Sequence, residues 1–136
     1  MAEPISLKDA QRIVEAAVAE SQRRDVKTAV AVVDARGDLI MAARLDGARY
    51  YYPDVAYGKA MAAAMWQAPS SGLARGTGTN TVQQRVNAMN GGRMVFAGGA
   101  VPLQRDGVLI GAVGVGGSGP DSDEEIAIIA AKALHG

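Results

Sequence analysis

TAVAVVDARGDLIMAARL, residues 28–45, decides the fold. Its first half is almost continuously apolar and rich in valine. Ala-Arg-Gly-Asp then supplies a glycine for a tight reversal, and LIMAARL (39–45) follows as a second strand. The stretch is predicted to be a buried β-hairpin. Upstream, Ser6-Leu7-Lys8-Asp9 is a Ser-x-x-acid helix start, and Leu7, Ala10, Ile13, Val14, Ala17 and Val18 recur at helical spacing. Downstream, Pro53 suits a first helical turn, and VAYGKAMAAAMW (55–66) continues as a helix whose alanines imply close packing. Residues 70–92 open with turn-formers and then carry Val82, Val86 and Met89 at helical spacing before Asn90-Gly91-Gly92. Three further strands are predicted at RMVFA (93–97), AVPLQR (100–105) and VLIGAVGVG (108–116), the last two joined by Asp106-Gly107. Ser122 with Glu125 forms a second capping-box pattern and opens a C-terminal helix. Two hairpin-rich strand blocks separated by helix imply an α+β domain spanning 1–136 with a mainly antiparallel sheet, because a parallel sheet needs βαβ alternation.

Composition narrows the function. Fourteen basic residues balance fourteen acidic ones, without the basic stripe of a nucleic-acid binder. There is no cysteine, and the one histidine is His135, so Cys-ligated or His-cluster metal sites and a Ser-His-Asp triad are not expected. No metal site is predicted. No apolar run approaches the roughly 20 residues that cross a bilayer, and the first residues lack a signal-peptide pattern. Cytoplasm without membrane or nucleic-acid partners is the expectation.

Gly114 to Gly119 matches G-x-G-x-x-G between a strand and a helix, but too little chain follows for a second strand and an acidic ribose ligand. What remains is local. The glycines either expose N–H groups to a carboxylate or phosphate, or let strand and helix pack closely. Asp121, Asp123, Glu124 and Glu125 read as first-turn acids complementing the helix dipole rather than as a hard-cation site. Asp34 reads as the first residue of the reversal.

All four tyrosines fall in DGARYYYPDVAYGKA (46–60). Buried phenols each need a hydrogen-bond partner, so three in a row point to a ligand or to another subunit. The candidate ligand site gathers Arg44, Asp46, Tyr50, Tyr51, Tyr52, Tyr57 and Lys59 with the glycine turns Gly98-Gly99 and Gly116-Gly117. Arg44 suits a planar carboxylate. Lys59 either snorkels along the alanine face or meets Asp34, Arg44 or Asp46 at the hairpin ends. If the protein is an enzyme, Lys59 and Tyr51 are its acid/base candidates, acting on a small carboxylated catabolite. If it is an interaction subunit, the tyrosines and Trp66 form an interface.

VVDARGDLIMAARLDGA, YGKAMAAA, FAGGAVPLQRDGVLIGAVGVGG and DSDEEIA together resemble the GlcG/HbpS-like haem-binding family, which also forms the C-terminal domain of PduO-type corrinoid adenosyltransferases. The resemblance spans nearly the whole chain. It rests on Asp34, Gly37, Arg44, Asp46, Lys59, Gly98, Gly99, Pro102, Gly107, Gly111, Gly114, Gly117 and Asp123. It implies a profilin-like three-layer α/β/α fold with a five-stranded antiparallel sheet, homo-oligomers, haem or a similar planar acidic small molecule as ligand, and a setting in catabolic operons. Haem iron takes His, Cys, Met or Tyr as axial ligand. With no cysteine and only His135, a tyrosine or methionine would have to serve.

Overall fold

The computed structural model describes residues 3–74 and 80–135. In chain order its elements are α1 (Leu7–Arg23), β1 (Ala29–Asp34), β2 (Leu39–Arg44), α2 (Tyr52–Trp66), the short α3 (Ser70–Leu73), α4 (Thr81–Met89), β3 (Ala100–Arg105), β4 (Val108–Gly116) and α5 (Pro120–Ala131). A single turn of 3-10 helix, Lys132–Leu134, extends α5.

The described strands form one antiparallel sheet in the order β2-β1-β4-β3. Alternation along β1 and β4 sorts side chains onto two faces. Val30, Val32, Val113 and Val115 share a core with Ile13 and Val14 of α1 and Ile126 and Ala130 of α5. Ala29 and Ala31 turn the other way, onto Ala56 of α2, while Val33 and Ala112 meet Ala60 and Ala63. Valines thus fill the face toward α1 and α5, and small residues draw α2 close on the opposite face. A Cβ on Gly114 would collide with the Ala56 carbonyl and lie 2.9 Å from the Ala60 nitrogen. Helix and strand touch there backbone to backbone.

Both turns follow their sequence chemistry. Asp34 Oδ1 accepts the N–H groups of Arg36 (2.9 Å) and Asp38 (3.0 Å), closing the β1–β2 reversal. Asp106 (φ 54°) and Gly107 (φ 75°) both adopt positive φ, the requirement of a two-residue I′ hairpin. At the start of α1, Ser6 and Asp9 exchange hydrogen bonds in a complete capping box.

Several expectations are corrected. Among the described residues the sheet has four strands, not five, because 93–97 pairs with none of them. It crosses the outer side of α2 instead, where a Cβ on Gly58 would strike the Arg93 carbonyl and come within 2.6 Å of Val95 Cγ2. Met94 and Phe96 go into a cluster with Met61, Leu73 and Trp66. β2 is a half-exposed edge, so only β1 of the first hairpin is buried. On α4, Val82 and Met89 are exposed whereas Gln83 is buried. The box expected at Ser122 does not form: α5 begins at Pro120 after Gly119, with no side-chain cap, and Glu125 pairs with Arg24 at 2.7 Å.

Candidate functional site

Two neighbouring regions contain the residues with chemical potential. The first is a closed knot at the C-terminal end of β4. Lys59 of α2 is buried, and its Nζ donates to Asp123 Oδ2 (3.0 Å) and to the Val115 carbonyl (3.1 Å). Asp123 is also buried, and its Oδ1 accepts the N–H (2.9 Å) and the hydroxyl (2.5 Å) of Ser118. Gly99 passes over the lysine so closely that a Cβ would lie 2.7 Å from Nζ. A Cβ on Gly117 would lie 2.7 Å from the ring of Tyr52. The turn after β4 does hold a carboxylate, but that carboxylate is the chain's own Asp123. Because α2 and α5 lie on opposite faces, the ion pair ties both helical layers through the end of the sheet.

The second region is open. The 91–95 segment runs along the outer side of α2 and leaves a groove of about 500 Å³ lined by Tyr51, Asp54, Val55, Tyr57, Arg93 and Val95. A further groove of about 600 Å³ lies between α2, α4 and the β1–β2 turn, and includes Arg36, Tyr57, Met61, Met65, Met89 and Arg93. Tyr57 and Arg93 line both, so the two grooves meet at a phenol and a guanidinium. Tyr57 is partly buried and packs against the three clusters that contain Ala56, Ala60 and Met61. Arg93 is exposed and, among the described residues, makes no salt bridge. A cation without a partner beside an aromatic ring can take a carboxylate while the ring packs on a flat apolar surface.

The predicted site residues are therefore divided. Tyr51 and Tyr57 come together at the groove. Tyr52 is half-buried over Gly117, and Lys59, Gly98, Gly99 and Gly116 are enclosed in or beside the knot. Lys59 meets none of Asp34, Arg44 or Asp46. Arg44 is exposed at the end of the edge strand, and Asp46 lines a small separate depression of about 220 Å³ with Lys27 and Gln22. Tyr50 is 83% exposed, with its ring edge-on to Tyr51 at 5.5 Å. Arg93, Asp54, Met65 and Val95 were not singled out from the sequence. Arg93 was concealed by the strand assigned to 93–97, whereas Met65 stands two turns after Tyr57 on one helix and was open to detection. Among the described residues no group of three His, Cys, Asp or Glu could hold a metal ion, and no helix is long and apolar enough to cross a membrane.

An α+β domain with helices on both faces of an antiparallel sheet, and an aromatic and cationic groove over its central helix, is the class that the fold and site define. The chain belongs to the HbpS-like family: the model for "Haem degrading protein HbpS-like" matches residues 5–132. The solved structure of a doubly substituted HbpS from Streptomyces reticuli superposes with a TM-score of 0.84 at 30% identity, covering 98% of this chain and 89% of that one. The solved PduOC:heme complex gives a TM-score of 0.84 at 28% identity, covering 96% and 95%. Corrinoid adenosyltransferase PduO of Salmonella typhimurium is 28% identical over 131 residues, 96% of this chain. The match spans only 39% of that relative's length.

Proposed function

We propose that the protein binds haem, or a planar molecule of similar acidity, in the joined grooves over α2. The observation that carries this reading is the placement of Tyr57 and Arg93 on both grooves, which offers a flat ring one aromatic wall and its carboxylates one unpaired cation. The family and the haem complex of a relative supply the ligand class. The donor set fits haem: Tyr51, Tyr57, Met65 and Met89 open to the grooves, and tyrosine and methionine are both known iron ligands. Bound haem supplies an iron centre capable of ligand exchange and electron transfer. Tyr57 and Val95 exclude water from one side of the ring, and Arg93 orients the acid groups.

Hemin titration tests the reading. A saturable Soret shift is expected, and Arg93→Glu should raise Kd about tenfold or more, as loss of a charge-assisted contact worth about 1.5–3 kcal/mol requires. A wild-type protein that gives no saturable shift would rule haem out.

A second reading is favoured by Tyr50. A large aromatic side chain 83% exposed, stacked edge-on to another, suits the centre of a contact between copies of this chain. In that reading the protein is a homo-oligomer and Tyr50→Arg lowers its mass in solution. A wild-type monomer by light scattering would eliminate this reading.

A further inference from the structure

The groove between α2 and α4 has a chemical asymmetry that the binding of a flat acidic molecule does not by itself explain. Tyr57, Met61 and Met65 follow one another at intervals of four on α2, so they form a stripe facing the cover. Met61, in the middle, is buried and serves as the floor. Met65 is 37% exposed, and Met89, at the last position of α4, is 72% exposed. Two thioethers therefore line one groove from its two walls, each with its outer part free of packing. Arg93 supplies positive charge to the same groove, whereas Arg36 there is paired with Asp38 at 3.7 Å.

From this arrangement we infer that Met65 and Met89 are the axial ligands of the iron, one from each wall. The inference rests on the haem reading above. A planar macrocycle between two helical walls would present its two faces to those walls and its edge to Arg93. Methionine side chains have three rotatable bonds and a polarizable sulfur, so both can adapt to a ligand seated in the groove. The other permitted donors are less well placed. Tyr57 is held by packing on three sides, and a phenol must release a proton to ligate, whereas a thioether releases none. Tyr51 lines the neighbouring groove and packs edge-on to Tyr50 and Tyr52, at 5.5 and 5.1 Å. His135 opens on a separate groove beside Pro102 and Lys132.

The test is electronic and near-infrared magnetic circular dichroism of the hemin complex, with redox titration. The wild type is expected to show a low-spin iron with a sulfur-to-iron charge-transfer band. Met65→Leu and Met89→Leu should each shift that band and lower the reduction potential, and the double variant should abolish the band, with the Soret shift retained at higher hemin. Both side chains are partly or largely exposed and leucine conserves volume, so these variants are expected to fold. His135→Ala should leave the spectrum unchanged. Hemin binding without the sulfur band, a band that survives in the double methionine variant, or a spectrum that changes in His135→Ala would overturn the ligation while leaving haem binding intact. Absence of any Soret shift in the wild type would overturn both.

Discussion

Lys59 was one of the two acid/base candidates in the sequence, and its surroundings give it another role. Its ammonium is bonded to Asp123 and to the Val115 carbonyl, and Gly99 closes over it. Side-chain exposures of 5% and 2% remove both partners from solvent, so the pair repays its desolvation only while both members are present. Lys59→Met is therefore expected to cost about 3–5 kcal/mol, because it strands a buried carboxylate. Lys59→Met with Asp123→Asn should recover much of that loss, since the amide still offers an acceptor to Ser118 and no charge remains. Urea midpoints decide the matter: a single variant as stable as the wild type would deny the pair its structural role. The sequence marked both residues but could not join them, because they stand 64 positions apart and Asp123 had a sufficient explanation in the helix dipole. After the Gly116-Gly117 turn, the N–H and hydroxyl of Ser118 are already given to Asp123.

At the scale of elements, α1 and α2 show what periodicity can and cannot reveal. The start and stripe of α1 were legible because its cap and its core are written in adjacent residues. Its acids also give it a pH dependence. The Ser6 backbone N–H, aided by Arg105 against the opposing effect of burial, holds Asp9 down to about 2 from 3.8. Arg23 and Arg24 hold Glu20 down to about 2 from 4.5. Both carboxyls are depressed in the folded state, so their stabilisation is complete above the unfolded values and is lost as pH falls from about 4.5 to about 2. Asp9→Asn should flatten that part of the stability curve measured by denaturant titration at successive pH values; an unchanged slope would contradict the assignment. The 93–97 segment was illegible for a different reason. An extended chain alternates its side chains whether or not a neighbour bonds to it, and a helix such as α2, whose backbone is already satisfied, offers no ladder. Gly58 makes this crossing possible. Gly58→Ala gains helix propensity of about 1 kcal/mol but drives a methyl group into Arg93 and Val95. The segment must lift, so hemin affinity should fall while helical circular dichroism is kept. Unaltered affinity would show that the groove does not depend on this crossing.

The whole molecule places its packed contact with the sheet and its open grooves on different sides of α2. Toward the sheet, α2 is bound by alanines and by Gly114, and the sequence announced this through small residues at helical spacing. Away from the sheet, α2 is covered among the described residues only in part, by α3, α4 and the 91–97 segment, and the grooves lie between them. A ligand seated there touches elements that are far apart in sequence and binds the folded chain alone. Folding and binding are then linked: at hemin one hundred times its Kd, unfolding should become more costly by about 2.7 kcal/mol, a rise in Tm of about 10 °C for a chain of this length. Arg93→Glu should leave Tm without hemin near the wild-type value, because the side chain is exposed and makes no salt bridge among the described residues, yet it should reduce the hemin-induced rise at the same concentration. Lys59→Met should do the reverse, lowering Tm at every hemin concentration while keeping the increment. If Arg93→Glu lost stability without hemin, or kept the full rise with it, Arg93 would be a structural residue and the ligand would lie elsewhere.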